Sequence, residues 1–154
     1  MTRDDIDVVC RLIADAMNED EARWARRTFD FHFACASHGL DDGREYVIFN
    51  VAGRAAGIIG LHHYAWGPDE NVWLAWFAVH PELQRRGIGR HMLTYVEERA
   101  VEWGYRKIFV ETYDHPDFEK AVAFYTSCGF ERVGTVENYL PDAGSMIVYA
   151  KALR

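Results

Sequence analysis

Cysteine is scarce in this 154-residue chain: three occur, Cys10, Cys35 and Cys128, with no CxxC and no Cys/His spacing of a zinc site. An odd, scattered set excludes a disulfide-built mini-protein and predicts reduced thiols in a cytoplasmic compartment. No stretch reaches the ~20 consecutive apolar residues of a membrane span. The opening Met1-Thr2-Arg3-Asp4-Asp5 has none of the apolar character of a secretory leader. A basic excess is missing too. Lys plus Arg is 17 against 24 Asp plus Glu, a net charge of −7, which argues against nucleic-acid binding by long-range attraction and suits a cationic substrate. The seven histidines form no HExxH or comparable pair, so no metal site is expected. No Gly/Ser linker, repeat or low-complexity tract divides the chain, so a single domain over residues 1–154 is expected.

What is present is a chain with 49% hydrophobic residues and 14% aromatics, enough for a core with rings left over for a pocket. Thr2 can cap a first helix carrying Ile6, Val9, Cys10, Ile13 and Met17 at helical spacing. A second helix is expected over 20–37, with Trp24, Thr28, Phe31 and Cys35 along one side. The period then changes. Strands are expected over 45–51 and 54–66, joined by a hairpin at Ala52-Gly53, and over 72–79, ended by Pro81. Ile88, Met92, Val96 and Ala100 mark a buried helical stripe over 87–103. A strand over 107–112, a helix over 117–127 stopped by Gly129, and strands over 131–136 and 146–153 complete an α/β (α+β) chain, a mixed sheet with helices on it.

The informative segment is Val79-His80-Pro81-Glu82-Leu83-Gln84-Arg85-Arg86-Gly87-Ile88-Gly89-Arg90, where a strand passes into a helix. Helix starts leave N–H groups unpaired and carry partial positive charge, so they hold phosphate oxygens. Gly87 and Gly89 admit close approach to the backbone, and Arg85, Arg86 and Arg90 add charge-assisted contacts. Two other cradles fail: no GxxxxGK[ST] occurs, and Met92 stands where a dinucleotide GxGxxG needs its third glycine.

Gln84-Arg85-Arg86-Gly87-Ile88-Gly89 resembles the acyl-CoA loop, [QR]xxGx[GA], of the GNAT N-acetyltransferase superfamily. Residues 121–130, Ala-Val-Ala-Phe-Tyr-Thr-Ser-Cys-Gly-Phe, resemble the family's A-x-x-[FL]-Y-x-x-x-G-F segment at the right distance. The order of elements also agrees over essentially the whole chain. The resemblance implies the GNAT fold, a central mixed sheet flanked by helices, and acetyl-CoA as co-substrate with no metal. It implies that Phe77 and Val79 offer backbone hydrogen bonds to the pantetheine arm, and that Gln84, Arg85, Arg86, Gly87, Ile88, Gly89 and Arg90 hold the pyrophosphate. It also implies that Tyr125 protonates the departing thiolate.

Two positions depart from the family. Phe118 stands where many relatives carry an asparagine, and Trp73 where lysine-acetylating members place a glutamate base. A base must then come from elsewhere. Glu111 on the fifth strand, acting through water, is the first choice, ahead of His62 and His63, which point to opposite faces of their strand. Cys128 is expected to pack rather than act as a nucleophile, so the amine should attack the thioester directly. Phe29, Phe31, His32, Tyr139 and Asp142 are expected at the acceptor wall, where rings and carboxylates suit a cation. The expected partners are an amine, small molecule or protein, and a second copy in a homodimer; neither nucleic acid nor membrane is expected. The alternative is a regulatory module that binds CoA without chemistry.

Overall fold

The computed structural model describes residues 1–154. Its helices are α1 (Ile6–Ala16), α2 (Glu19–Ser37), α3 (Ile88–Glu102) and α4 (Glu119–Ser127). Its strands are β1 (Arg44–Val51), β2 (Arg54–His62), β3 (Asn71–Leu74), β4 (Ala78–Val79), β5 (Lys107–Asp114), β6 (Glu131–Val136) and β7 (Ser145–Ala152). The fold is mixed α/β, as expected. The chain divides into two compact units, residues 1–67 with 75–96, and residues 68–74 with 97–154.

In the first unit, the Asp5 carboxylate accepts from the backbone N–H and the hydroxyl of Thr2, fixing the entry to α1. Asn18 caps α2 by accepting from the Glu21 N–H at 2.9 Å. Between these caps the apolar spacing does the rest. Val9 and Ile13 of α1, Ala25 and Phe29 of α2 and Ile58 of β2 lose all exposure in one core, with Tyr46 of β1 and Ala78 of β4. Such burial is worth about 1.5–3 kcal/mol for a Val, Ile or Phe side chain. β1 and β2 form an antiparallel hairpin that turns at Ala52 (φ 50°) and Gly53 (φ 77°), the double left-handed geometry that suits the twist of a two-residue hairpin. Side chains alternate along β2. The face with Ile58 meets α1 and α2, while a Cβ added at Gly57 would strike Met92 of α3 on the other face.

The strands of the second unit pair both parallel and antiparallel. β3 runs parallel to β5, β5 pairs antiparallel with β7, and β7 with β6. Ile108 and Val110 of β5, Ile147 and Tyr149 of β7, and Tyr125, Cys128 and Phe130 are buried. α4 ends in a Schellman cap. The Phe130 N–H donates to Tyr125 O at 3.1 Å and the Gly129 N–H to Thr126 O at 3.1 Å, with Gly129 at φ 86°.

Four expectations change. The strand expected over 72–79 is interrupted at 75–77: β3 pairs with β5, whereas β4 pairs with β2. A continuous apolar run carries no signal of such a break. The strand expected to reach Trp66 ends at His62; the His63 N–H still bonds Gly43 O at 2.8 Å, and a turn closed by the Gly67 N–H on Tyr64 O follows. Met17 closes α1 and lies exposed, with Leu12 taking the inward place. α2 buries Ala22, Ala25 and Phe29 rather than the side with Trp24 and Phe31; the small residues allow close packing, and the large rings stay outside.

Candidate functional site

The loop between β4 and α3 opens with a 3₁₀ turn, Pro81–Leu83, started by His80, whose ring accepts from the Glu82 N–H. Gln84 follows with extended backbone, and its side-chain amide donates to Val79 O at 3.0 Å, tying the loop back to its strand. The Val79 carbonyl keeps a second lone pair for a ligand. Arg85 then takes φ 60° and Gly87 φ 82°. Left-handed backbone costs a non-glycine residue roughly 1–2 kcal/mol, and such strain is retained mainly at ligand sites. Here it curves the chain just ahead of α3, as in backbone nests that hold anions. The first bond of α3 is from the His91 N–H to Gly87 O, at 3.0 Å, so the Ile88 and Gly89 N–H groups precede the helical ladder. A Cβ at Gly87 would enter open space. Glycine is needed there for its φ, and the loop surface stays accessible. Arg85, Arg86 and Arg90 are exposed around it. These features fit a diphosphate: concave backbone, unladdered N–H groups, and three guanidinium forks. Phe77 lies in the irregular link before β4 and is half-buried.

A groove of about 840 Å³ between α1 and β1 reaches His80 but is lined by none of residues 84–90. No three His, Cys, Asp or Glu side chains gather as a metal site requires, and no helix is long and apolar enough to cross a membrane.

The two residues expected to act as acid and base belong to the second unit. Tyr125 is buried, and burial, then the nearby Cys128, raises its phenol above the ordinary tyrosine value. Glu111 faces out of β5 between Val110 and Thr112. Its side chain keeps surface open to water, yet it is crowded enough that desolvation raises its carboxyl. Trp73 stacks on Phe109, ring centres 5.0 Å apart, which gives the ring a packing role at the place of the missing glutamate. Phe118 packs edge-on against Tyr113.

The expected acceptor wall is only partly realised. Phe29 is wholly buried in the first unit's core, edge-on to Tyr46, and lines no surface. Phe31 is exposed, with the Arg44 guanidinium above its ring. Tyr139 is exposed and stacks on Tyr113, and Asp142 lies 3.6 Å from the His115 ring. His62 is the last residue of β2 and His63 lies past it, its N–H donating to Gly43 O at 2.8 Å, so strand alternation does not sort the two. His62 stands opposite Arg44 of β1, and burial, followed by the Arg44 charge, pulls its imidazole down to about 4. A group titrating there is a weak base at neutral pH.

A polar cluster that the sequence did not single out surrounds His32. Its Nδ1 lies 2.7 Å from Asp42 Oδ1, while Arg44 donates to Asp42 Oδ2 at 2.9 Å. The Asp42 side chain is 4% exposed. Burial alone would raise its carboxyl, but the bonds from His32 and Arg44 outweigh that and hold it below the ordinary value. Residues 39–43 carry the glycines and aspartates of a turn, and nothing in that composition points from Asp42 to His32.

Comparison with known proteins bears on the family and the fold. The model of the acetyltransferase (GNAT) family matches residues 9–130. An uncharacterized protein of Mycobacterium leprae is 28% identical over 145 residues, 94% of this chain, but the match spans 37% of that longer protein. A GNAT-family protein from Desulfovibrio desulfuricans superposes with a TM-score of 0.87 at 22% identity, covering 99% of this chain and 95% of that one. An aminoglycoside 6′-N-acetyltransferase complexed with coenzyme A gives 0.77 at 15% identity, covering 99% and 93%. At these identities the two structures attest the fold alone.

Proposed function

Because the chain belongs to the acetyltransferase (GNAT) family, we propose that it transfers an acetyl group from acetyl-CoA to a primary amine by direct attack. The observation that carries this reading is the strained loop at 84–90, where left-handed backbone at Arg85 and Gly87 leads into a helix start ringed by arginines. A diphosphate would be held by the Ile88 and Gly89 N–H groups and by Arg85, Arg86 and Arg90, and a pantetheine arm by backbone groups of Phe77 and Val79. The bound thioester supplies an activated acetyl carbon.

An ammonium acceptor must lose two protons, one before attack and one from the nitrogen after it, while the departing sulfur gains one. In this reading Tyr125 donates to the sulfur, and Glu111, its carboxyl raised by desolvation, receives the second nitrogen proton through water. Bringing both reactants together removes much of the entropic barrier without a covalent enzyme intermediate. The test is free-thiol release from acetyl-CoA over a panel of primary amines. Amine-dependent release is expected; CoA binding with no release for any amine would leave the regulatory module as the correct reading.

A further inference from the structure

We propose that His32, oriented by Asp42, is the base that converts the acceptor's ammonium into the free amine, an assignment that rests on the acetyl-transfer reading above. Four observations carry it.

The first is tautomer control. Asp42 is ionised and only accepts, so the 2.7 Å contact to His32 requires an Nδ1–H donor, and in the neutral imidazole the lone pair is then on Nε2. Arg44 holds the other Asp42 oxygen at 2.9 Å, which fixes the carboxylate in turn. A base aimed by a buried carboxylate is a recurrent arrangement in acid–base catalysis. The second is access. The His32 side chain is 19% exposed and Asp42 only 4%, so the ring can meet a substrate while its support stays dry.

The third is position in the sheet register. β4 leads into the diphosphate loop, so an arm running back from that loop passes Val79 and then Phe77 towards Ala75. Along β2, Gly57 stands opposite Val79, and Gly60 O accepts from the Ala75 N–H at 2.9 Å. Tyr46 stands opposite Gly60, and the His32 ring lies edge-on to Tyr46 with centres 5.3 Å apart. His32 therefore sits beside the row that marks the reactive end of the arm. The opposite end of the hairpin, at Ala52 and Gly53, lies towards the diphosphate. The fourth is the absence of a better base in the same cluster: His62, opposite Arg44, is held down at about 4.

The titratable and charged groups facing His32 are Asp42 from the preceding turn and Arg44 and Tyr46 from β1, with His62 of β2 opposite Arg44. The Tyr46 hydroxyl is buried without a hydrogen-bond partner, near enough to feel both Arg44 and Asp42. In the step, Nε2 takes one proton from the ammonium and passes it to solvent. The nitrogen lone pair then forms the C–N bond, the C–S bond breaks with its electrons on sulfur, and the nitrogen loses its second proton through water as the sulfur gains one. The net products are amide, free thiol and one released proton.

The experiment compares wild type with His32→Gln and His32→Ala, using thiol release from acetyl-CoA and the primary amine that wild type turns over fastest, from pH 6 to pH 10. A positioned base contributes about 10²–10⁴-fold, so kcat/KM of His32→Gln should fall by about 10²-fold near pH 7. The loss should shrink as the pH approaches the ~10.4 of a lysine-like amine, which then sheds its own proton. Added imidazole should restore part of the rate of His32→Ala, whereas a merely structural role would depress every pH equally and resist rescue. Melting temperature and CoA affinity serve as fold controls. If wild type turns over no amine, the acetyl-transfer reading fails and takes this one with it. If wild type turns over and His32→Gln keeps its rate and pH profile, or loses rate uniformly without rescue, the base assignment alone is overturned.

Discussion

Burial makes Tyr125 a different acid from an exposed phenol. Its raised pKa keeps the proton on oxygen throughout the working pH range, and full transfer to a thiolate of ordinary pKa ~8.5 becomes more uphill. What burial favours is a strong hydrogen bond to sulfur as negative charge builds there, with the proton following late. Tyr125→Phe should then lower turnover by about 10–100-fold, the lower part of the range for acid assistance, and leave CoA affinity unchanged. The ring stays, and with it the contact to Phe130 across the helix end, so the melting temperature should hold. Acyl donors with a more acidic thiol should lose less, since such a group departs with less help. Wild-type turnover in the phenylalanine variant at saturating amine would remove Tyr125 from the mechanism.

At the level of elements, what was legible in the sequence is what local physics determines. Gly129 could be read as a helix stop, whereas Tyr125 and Phe130 stood out only through the family segment they resemble; in the structure the three form one device. Glycine takes the left-handed cap position, and Phe130 packs against Tyr125 as its N–H bonds the Tyr125 carbonyl. The loop at 84–90 could be singled out because its glycines and arginines stand together where a strand passes into a helix. Long-range pairing was not legible. Nothing in Val72 to Val79 signals that β3 joins β5 and β4 joins β2, and nothing near Asp42 signals a bond to a histidine ten residues earlier. The strained loop also separates binding from stability. Arg85→Gly relieves the left-handed cost of roughly 1–2 kcal/mol, partly offset by about 0.4–1 kcal/mol of added unfolded-state freedom, so the melting temperature should hold or rise slightly. CoA affinity should fall by about 10–100-fold, the worth of a charge-assisted hydrogen bond of about 1.5–3 kcal/mol. Calorimetry showing unchanged affinity would detach Arg85 from the diphosphate.

For the molecule as a whole, the question is how a chain of net charge −7 treats an uncovered sheet edge. β6 pairs with β7 on one side only, and Val133 and Val136 are 56% and 46% exposed along it. An edge with unpaired backbone groups and exposed valines favours pairing with another chain, and a homodimer through β6 is the proposed result. Two copies of like charge repel at long range, and salt screens that repulsion within about 8–10 Å. Edge pairing is held by backbone bonds and apolar area, which salt leaves largely intact. Dimerisation should therefore tighten between 20 mM and 300 mM salt, and a double change, Val133→Lys with Val136→Lys, should give monomers with an unchanged fold. Light scattering reads both. A mass that stays monomeric at every salt and protein concentration would reject the dimer, and a dimer that dissociates as salt rises would place the contact on ion pairs rather than on this edge.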